Sequence, residues 1–104
     1  MARPIKIRTR SQDGMTTVQC IIRHPMETGF RVDPDAGKII PAHYIEQVFC
    51  YHQDELILQC DWSRAVSKNP FLSFSFSGAQ PGDRITIRWT DNRGDEHSTD
   101  ATIA

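Results

Sequence analysis

The side chains that could bind a metal or act as nucleophiles are four histidines and three cysteines: His24, His43, His52, His97, Cys20, Cys50 and Cys60. A metal site needs at least three converging ligands, and a Cys–His set on a β-sandwich could support copper or superoxide-reducing chemistry. None of these residues lies at a close ligand spacing within one loop, which favours hydrogen-bonded histidines over ligands. One redox hypothesis stays open, in which His24, His43 and cysteines bind a metal.

No other signature of catalysis is present. The three cysteines are an odd number without a C-x-x-C pair, which excludes a zinc knuckle and a thioredoxin-like motif. The nucleophile elbow, the phosphate-binding loop, the dinucleotide fingerprint and H-E-x-x-H are also absent. The segment 33–37 resembles the start of a calcium loop but lacks the later ligands, so an Asp-Pro turn explains it better. We therefore predict no catalytic residue, no metal and no cofactor, and a protein that binds other proteins.

Length and charge exclude several further classes. The 104 residues predict a single domain over 1–104. The 12 Lys and Arg nearly balance the 13 Asp and Glu, which argues against a nucleic-acid or membrane partner. The longest apolar run, at 48–51, is too short for a signal peptide or a membrane span. This feature by itself predicts a cytoplasmic protein.

The elements that must position these side chains are strands. Apolar and polar residues alternate with a period of two over 56–62, 71–77 and 84–90, and more weakly over 5–10, 17–23, 44–52 and 96–102. Turn residues such as Asp13-Gly14 and Pro81-Gly82-Asp83 separate the segments. About seven short strands predict an all-β, immunoglobulin-like, two-sheet antiparallel β-sandwich.

The hairpin around 53–54 allows a more detailed prediction. A two-residue turn there places one face of the hairpin in the core, beginning with Tyr51 opposite Leu56. The other face then carries three apolar residues, Val48, Cys50 and Ile57, which we expect a partner protein to cover. This register puts Cys50 and Cys60 on opposite faces. For Cys20 and Cys60, a disulfide across the core is less favoured than two buried, inert thiols.

Two segments, 24–43 and 63–70, contain too many prolines, glycines and polar residues for regular structure. Long loops in small domains are commonly functional or packed as units of their own. They contain all or part of three sequence motifs, which we call the loop motifs: HPMETG at 24–29, GKIIPAHYI at 37–45 and VSKNPFLSF at 66–74. With GD at 82–83 and WTDNRG at 89–94, they follow one another in a single order between residues 24 and 94. In these motifs the sequence resembles the SoxZ family.

The resemblance implies an immunoglobulin-like, non-catalytic subunit of the SoxYZ carrier complex of thiosulfate oxidation. In that family the SoxY partner carries sulfur intermediates on a cysteine arm, and here no cysteine is flanked by glycines. The implied partners are SoxY, in a heterodimer, and transiently the Sox cytochromes, the SoxB-type thiosulfohydrolase and the sulfur dehydrogenase. The implied location is the periplasm, reached by export with SoxY and without a signal peptide of its own. An isolated subunit could also form homodimers.

The role of the residues in the loop motifs has two interpretations. In the first, His24, Met26, Glu27, Lys68 and Asn69 form a docking site for SoxY or for Sox enzymes. In the second they are structural, with Asn69 and other polar side chains satisfying main-chain groups. The predicted partner interface accordingly consists of these five residues together with Val48, Cys50 and Ile57.

Overall fold

The structure, a computed structural model, describes residues 5–103, so residues 1–4 and 104 of the predicted domain lie outside the described part. Its strands are β1 (Ile5–Gln12), β2 (Met15–Ile22), β3 (Val32–Asp33), β4 (Lys38–Ile39), β5 (Ile45–His52), β6 (Glu55–Asp61), β7 (Phe71–Ser77), β8 (Arg84–Asp91) and β9 (Glu96–Thr102). The described residues contain no helix that could cross a membrane.

Two antiparallel sheets form the sandwich. One has the strand order β1-β2-β7 and the other β6-β5-β8-β9, while β3 and β4 pair only with each other. The seven long strands match the seven predicted segments, and the all-β sandwich is confirmed. The short hairpin of β3 and β4 lies inside the segment 24–43, for which no regular structure was predicted.

The period of two produces the core. Val18, Cys20 and Ile22 of β2 are buried at alternate positions, and β8 buries Ile85 and Ile87 in the same way. The turn between β1 and β2 is Asp13-Gly14, with positive φ at both residues (54° and 79°). Such a turn matches the twist of the two strands, and Gly adopts its conformation without steric cost.

The predicted register of the β5–β6 hairpin is wrong beyond its first two pairs. His52 pairs with Glu55 and Tyr51 with Leu56, as expected, but a register shift then sets Cys50 opposite Leu58. Such a bulge shifts one strand by one residue relative to the other, so β6 keeps Leu58 and Cys60 on the predicted core face while the later residues of β5 change face. Two-residue periodicity cannot locate a bulge because the inserted residue is itself an ordinary strand former.

This shift overturns the predicted outward face. Val48 and Cys50 have no exposed surface and belong to the chain's own core, so their side chains cannot contact a partner protein. Cys60 lies opposite Val48 and therefore on the same face as Cys50, contrary to the prediction. Ile57 is partly buried and packs against the core. All three cysteines are free thiols.

Strand ends gather the irregular segments at one end of the sandwich. The main-chain N–H of Ile22, the last residue of β2, donates to the carbonyl of Pro70, just before β7. The first residue of β5, Ile45, pairs with Asp91 at the end of β8. The segments 23–44, 62–70 and 92–95 therefore meet, and we call this region the loop end.

Candidate functional site

The segment 23–44 folds as a small unit of its own. Glu27 and His43 exchange two main-chain hydrogen bonds, of 2.6 and 2.9 Å, which close the segment at its base. Beyond this closure the chain forms the β3–β4 hairpin, with Ile40 N–H donating to the carbonyl of Arg31 at 2.8 Å. A long loop stabilised in this way presents a defined surface.

Both ends of this segment are attached to the sandwich by one carboxylate. Asp91 Oδ2 lies 3.1 Å from His24 Nε2 and 2.8 Å from His43 Nε2. Asp91 Oδ1 accepts the main-chain N–H groups of Arg93 and Asp95, each at 3.0 Å. His24 and Asp91 are buried, with 2% and 3% exposure, and His43 is partly buried. We call His24, His43 and Asp91 the buried triad.

The proton positions in the triad follow from its neighbours. The main-chain N–H of Met26 donates to His24 Nδ1 at 3.1 Å, so this nitrogen is an acceptor. The proton of a neutral His24 therefore sits on Nε2 and is donated to Asp91. Burial opposes ionisation of Asp91, but the hydrogen bonds from the two histidines and the two amides outweigh it, and the pKa of Asp91 is lowered.

The triad is a poor fit to a metal ion. The ligand atoms of His24, His43 and Asp91 lie within 4.8 Å of one another, close enough to suggest a cation site. A histidine that binds a metal through Nε2 normally donates its Nδ1 proton to an acceptor. His24 Nδ1 instead faces an N–H donor, and the triad contains no cysteine. The arrangement is that of a hydrogen-bonded anchor, and it does not support the metal-binding redox alternative.

Sequence reasoning missed Asp91 as a partner of the histidines. The signal that could have found it is the alternation of β8, because Asp91 follows Ile85, Ile87 and Trp89 at the buried positions of that strand. A carboxylate at a buried position needs donors, and histidines are suitable ones.

Three residues of the predicted interface have structural roles here. His24 N–H donates to Asn69 Oδ1 at 3.1 Å, and Asn69 N–H donates back to the His24 carbonyl at 3.0 Å. Met26 is buried, with 4% exposure, and its Sδ accepts the N–H of Ile45 at 3.3 Å. The structure thus brings these residues of the loop motifs together. It also buries the side chains of His24 and Met26, which therefore cannot contact a partner.

The exposed surface of the loop end is both charged and apolar. Arg31 donates to both carboxylate oxygens of Glu27, at 3.1 and 2.7 Å. This hydrogen bonding, with a smaller contribution from the charge of Lys68, lowers the pKa of Glu27. Lys68 and Asn69 are exposed. Arg64 joins the two long loops, because its guanidinium lies 5.4 Å from the Phe30 ring and donates to the Thr28 carbonyl at 3.2 Å.

The segment 30–39, which contains the β3–β4 hairpin, adds an apolar patch to this surface, and we call this patch the apolar tip. Phe30, Val32 and Ile39 are 76%, 53% and 64% exposed. Val32 and Ile39 are directly opposite each other in the hairpin and therefore share a face. Exposed large apolar residues that lie close together are typical of protein contact sites. Sequence reasoning did not select these three residues.

The thiols are poorly placed for sulfur chemistry. Burial raises the pKa of Cys20 to about 11 and that of Cys50 to about 12. Burial also raises the pKa of Cys60, which is only partly buried and so departs from the predicted full burial. A thiol with a raised pKa holds little of the reactive thiolate near neutral pH.

The family model of "Sulphur oxidation protein SoxZ" matches residues 5–102. The chain belongs to the SoxZ family. This match confirms the resemblance seen in the loop motifs and places the protein in the Sox sulfur-oxidation system. A search among curated proteins finds no match.

Solved structures similar to this SoxZ-family chain confirm the fold. The hypothetical protein PH1083 from Pyrococcus horikoshii OT3 is 12% identical with a TM-score of 0.70, over 98% of this chain and 88% of that one. The reduced superoxide reductase (neelaredoxin) from Archaeoglobus fulgidus is 15% identical with a TM-score of 0.63, over 97% of this chain and 87% of that one. A variant of this reductase is 16% identical with a TM-score of 0.65, covering 99% and 87%. At such identities the likeness concerns the fold alone.

Proposed function

We propose that this chain is the non-catalytic binding subunit of a SoxYZ-type carrier complex in thiosulfate oxidation. It pairs permanently with a SoxY-type chain, which bears the sulfur-carrying cysteine, and it helps to dock the Sox enzymes in turn. The observation that carries this proposal is the SoxZ family match over residues 5–102.

The state of the thiols supports a scaffold rather than a carrier. A carrier cysteine must reach several active sites, and Cys20 and Cys50 are buried in the core with raised pKa values. An exposed reactive thiol on the scaffold would also exchange with the sulfur-loaded cysteine of the partner. Burial of these two groups therefore protects the sulfur group on the neighbouring chain.

The loop end is our proposed docking face for the Sox enzymes. It combines the apolar tip of Phe30, Val32 and Ile39 with the charged side chains of Glu27 and Lys68. A small, mixed surface suits contacts that must release quickly, because small polar interfaces are typical of transient complexes. A tethered sulfur group beside a docked enzyme is then present at a high effective concentration.

The proposed location is the periplasm, with export in complex with the SoxY-type chain. Transport of this kind requires the two chains to pair before they cross the membrane. The pairing must therefore be stable, which favours a larger and more apolar contact than the docking face provides.

The mass of the purified chain, measured by light scattering alone and after co-expression with a SoxY-type chain, tests the proposal. We expect a stable one-to-one complex, and self-association of the lone chain, which would form homodimers or larger species. A lone chain that stays monomeric and does not bind the SoxY-type chain would refute the pairing.

A further inference from the structure

One side of the sandwich is open. The sheet β1-β2-β7 has three strands and faces a sheet of four, β6-β5-β8-β9. On one side the edge strands β1 and β9 pack against each other, whereas the described residues show no comparable contact between β6 and β7 on the other side. The three-stranded sheet therefore has room for one more strand beside β7.

Large apolar side chains line this opening. Leu72, Phe74 and Phe76 of β7 and Leu58 and Cys60 of β6 face the core but remain only partly buried. We call these five residues the open seam. The closed side differs in composition, because the partly buried residues of β9 are His97, Thr99 and Ala101.

Within the described part of the chain, the outward main-chain groups of β7 also lack backbone hydrogen-bond partners. Ile22 N–H donates to the Pro70 carbonyl at 3.0 Å, which marks this pair as a hydrogen-bonded one. Hydrogen-bonded and non-bonded pairs alternate along an antiparallel ladder. The N–H and C=O groups of Phe71, Ser73 and Ser75 therefore point away from β2, and no backbone hydrogen bond in the described part of the chain satisfies them.

Strand β7 lacks the usual protection of an edge. The edge strand β1 carries Lys6, Arg8 and Arg10, and β6 and β9 carry acidic residues. The sequence of β7, FLSFSFS, has no charge and no proline, and its pairing with β2 shows no bulge. Unprotected edges of this kind aggregate unless another strand covers them.

We propose that the permanent partner subunit adds an extended strand to the edge of β7, and that alternate apolar side chains of this strand fill the open seam. The added strand satisfies the outward main-chain groups of β7 and completes a sandwich of four strands on four. Strand addition of this kind derives its affinity from main-chain hydrogen bonds and its specificity from alternate side chains. The inference rests on the function proposed above and specifies the surface that the partner uses.

A proline substitution tests the edge directly. Ser73→Pro removes one outward N–H and obstructs a neighbouring strand, while the bonds of β7 to β2 remain. Thr9→Pro is the matched control, because the same alternation makes the Thr9 N–H an outward group on the edge of β1. We expect Ser73→Pro to weaken the complex with the SoxY-type chain at least about tenfold. We expect Thr9→Pro to leave its affinity unchanged, with both variants folded by circular dichroism.

Amide hydrogen exchange gives a second, independent measurement on the wild-type protein. The amides of Ser73 and Ser75 are expected to exchange at least about tenfold more slowly in the complex than in the lone chain. A stable complex in which these amides stay unprotected and Ser73→Pro binds as well as Thr9→Pro would overturn strand addition and leave the proposed function intact. Protection in the lone dimer but not in the complex would assign the edge to a second copy of this chain and overturn the inference. Failure of any complex to form would overturn both proposals.

Discussion

Replacing Asp91 by asparagine tests the buried triad most directly. The two side chains have nearly the same shape, so the change affects hydrogen bonding and charge rather than packing volume. In the native chain the carboxylate accepts four hydrogen bonds, two from histidine rings and two from main-chain amides. An asparagine side chain has a single oxygen and cannot accept all four.

The expected loss follows from the proton on His24. If the asparagine oxygen keeps the two main-chain amides, its NH₂ group faces His24 Nε2. That nitrogen carries a proton, because the N–H of Met26 already donates to His24 Nδ1. The variant therefore loses a charge-assisted hydrogen bond and buries an unsatisfied donor, which together cost about 3 kcal/mol of the free energy of unfolding.

Urea denaturation at neutral pH, followed by circular dichroism, measures this loss. A cost of about 3 kcal/mol corresponds to a fall in the unfolding midpoint of about 1–3 M urea. The same cost lowers Tm by about 12–24 °C in a domain of this size. Asp95→Asn is the control, because the Asp95 side chain is exposed and only the main-chain N–H and C=O groups of Asp95 bond to Asp91. A free energy of unfolding for Asp91→Asn within about 0.5 kcal/mol of the control would refute the role of the triad as an anchor.

Further expectations concern pH, thiol reactivity, metal binding and docking. Because the folded pKa of Asp91 lies below its ordinary value of 3.8, its stabilising contribution should be complete above that value and decline as the pH falls below it; urea midpoints that do not fall on acidification would contradict this. A thiol reagent should modify Cys20 and Cys50 only on unfolding, and rapid labelling of the native protein would show that their burial is incomplete. Excess Zn²⁺ should leave Tm unchanged, whereas a rise of more than about 2 °C would revive the metal-binding alternative. Ile39→Ser should change the free energy of unfolding by less than about 0.5 kcal/mol and leave SoxY binding intact while weakening the docking of Sox enzymes; unaltered docking would remove the apolar tip from the site.

Local chemistry determined the strands and most turns of this protein. Alternation of apolar and polar residues is a property of neighbouring positions, so it predicted the seven long strands without any tertiary information. Turn residues act equally locally, and Asp13-Gly14 adopts the positive φ values that its residue types favour. The loop motifs identified the family in the same way, because each is a run of adjacent residues that can be read without tertiary information.

Features that depend on pairing between distant segments were beyond the sequence. The bulge beside Cys50 is one such feature, because the choice between Ile57 and Leu58 as its partner depends on which face the other sheet covers. Predicting an even ladder put Val48 and Cys50 on the surface, and packing against the second sheet puts them in the core.

The sequence by itself determined the all-β class, the strand boundaries to within a few residues, and membership of the SoxZ family. Only the tertiary structure decided which polar residues meet: His24 and Asp91 are 67 positions apart, and His43 and Asp91 are 48 apart. It likewise decided which edge strand is open. The physical reason is that periodicity reports the two faces of a strand, whereas contacts and free edges depend on the order in which strands assemble into sheets.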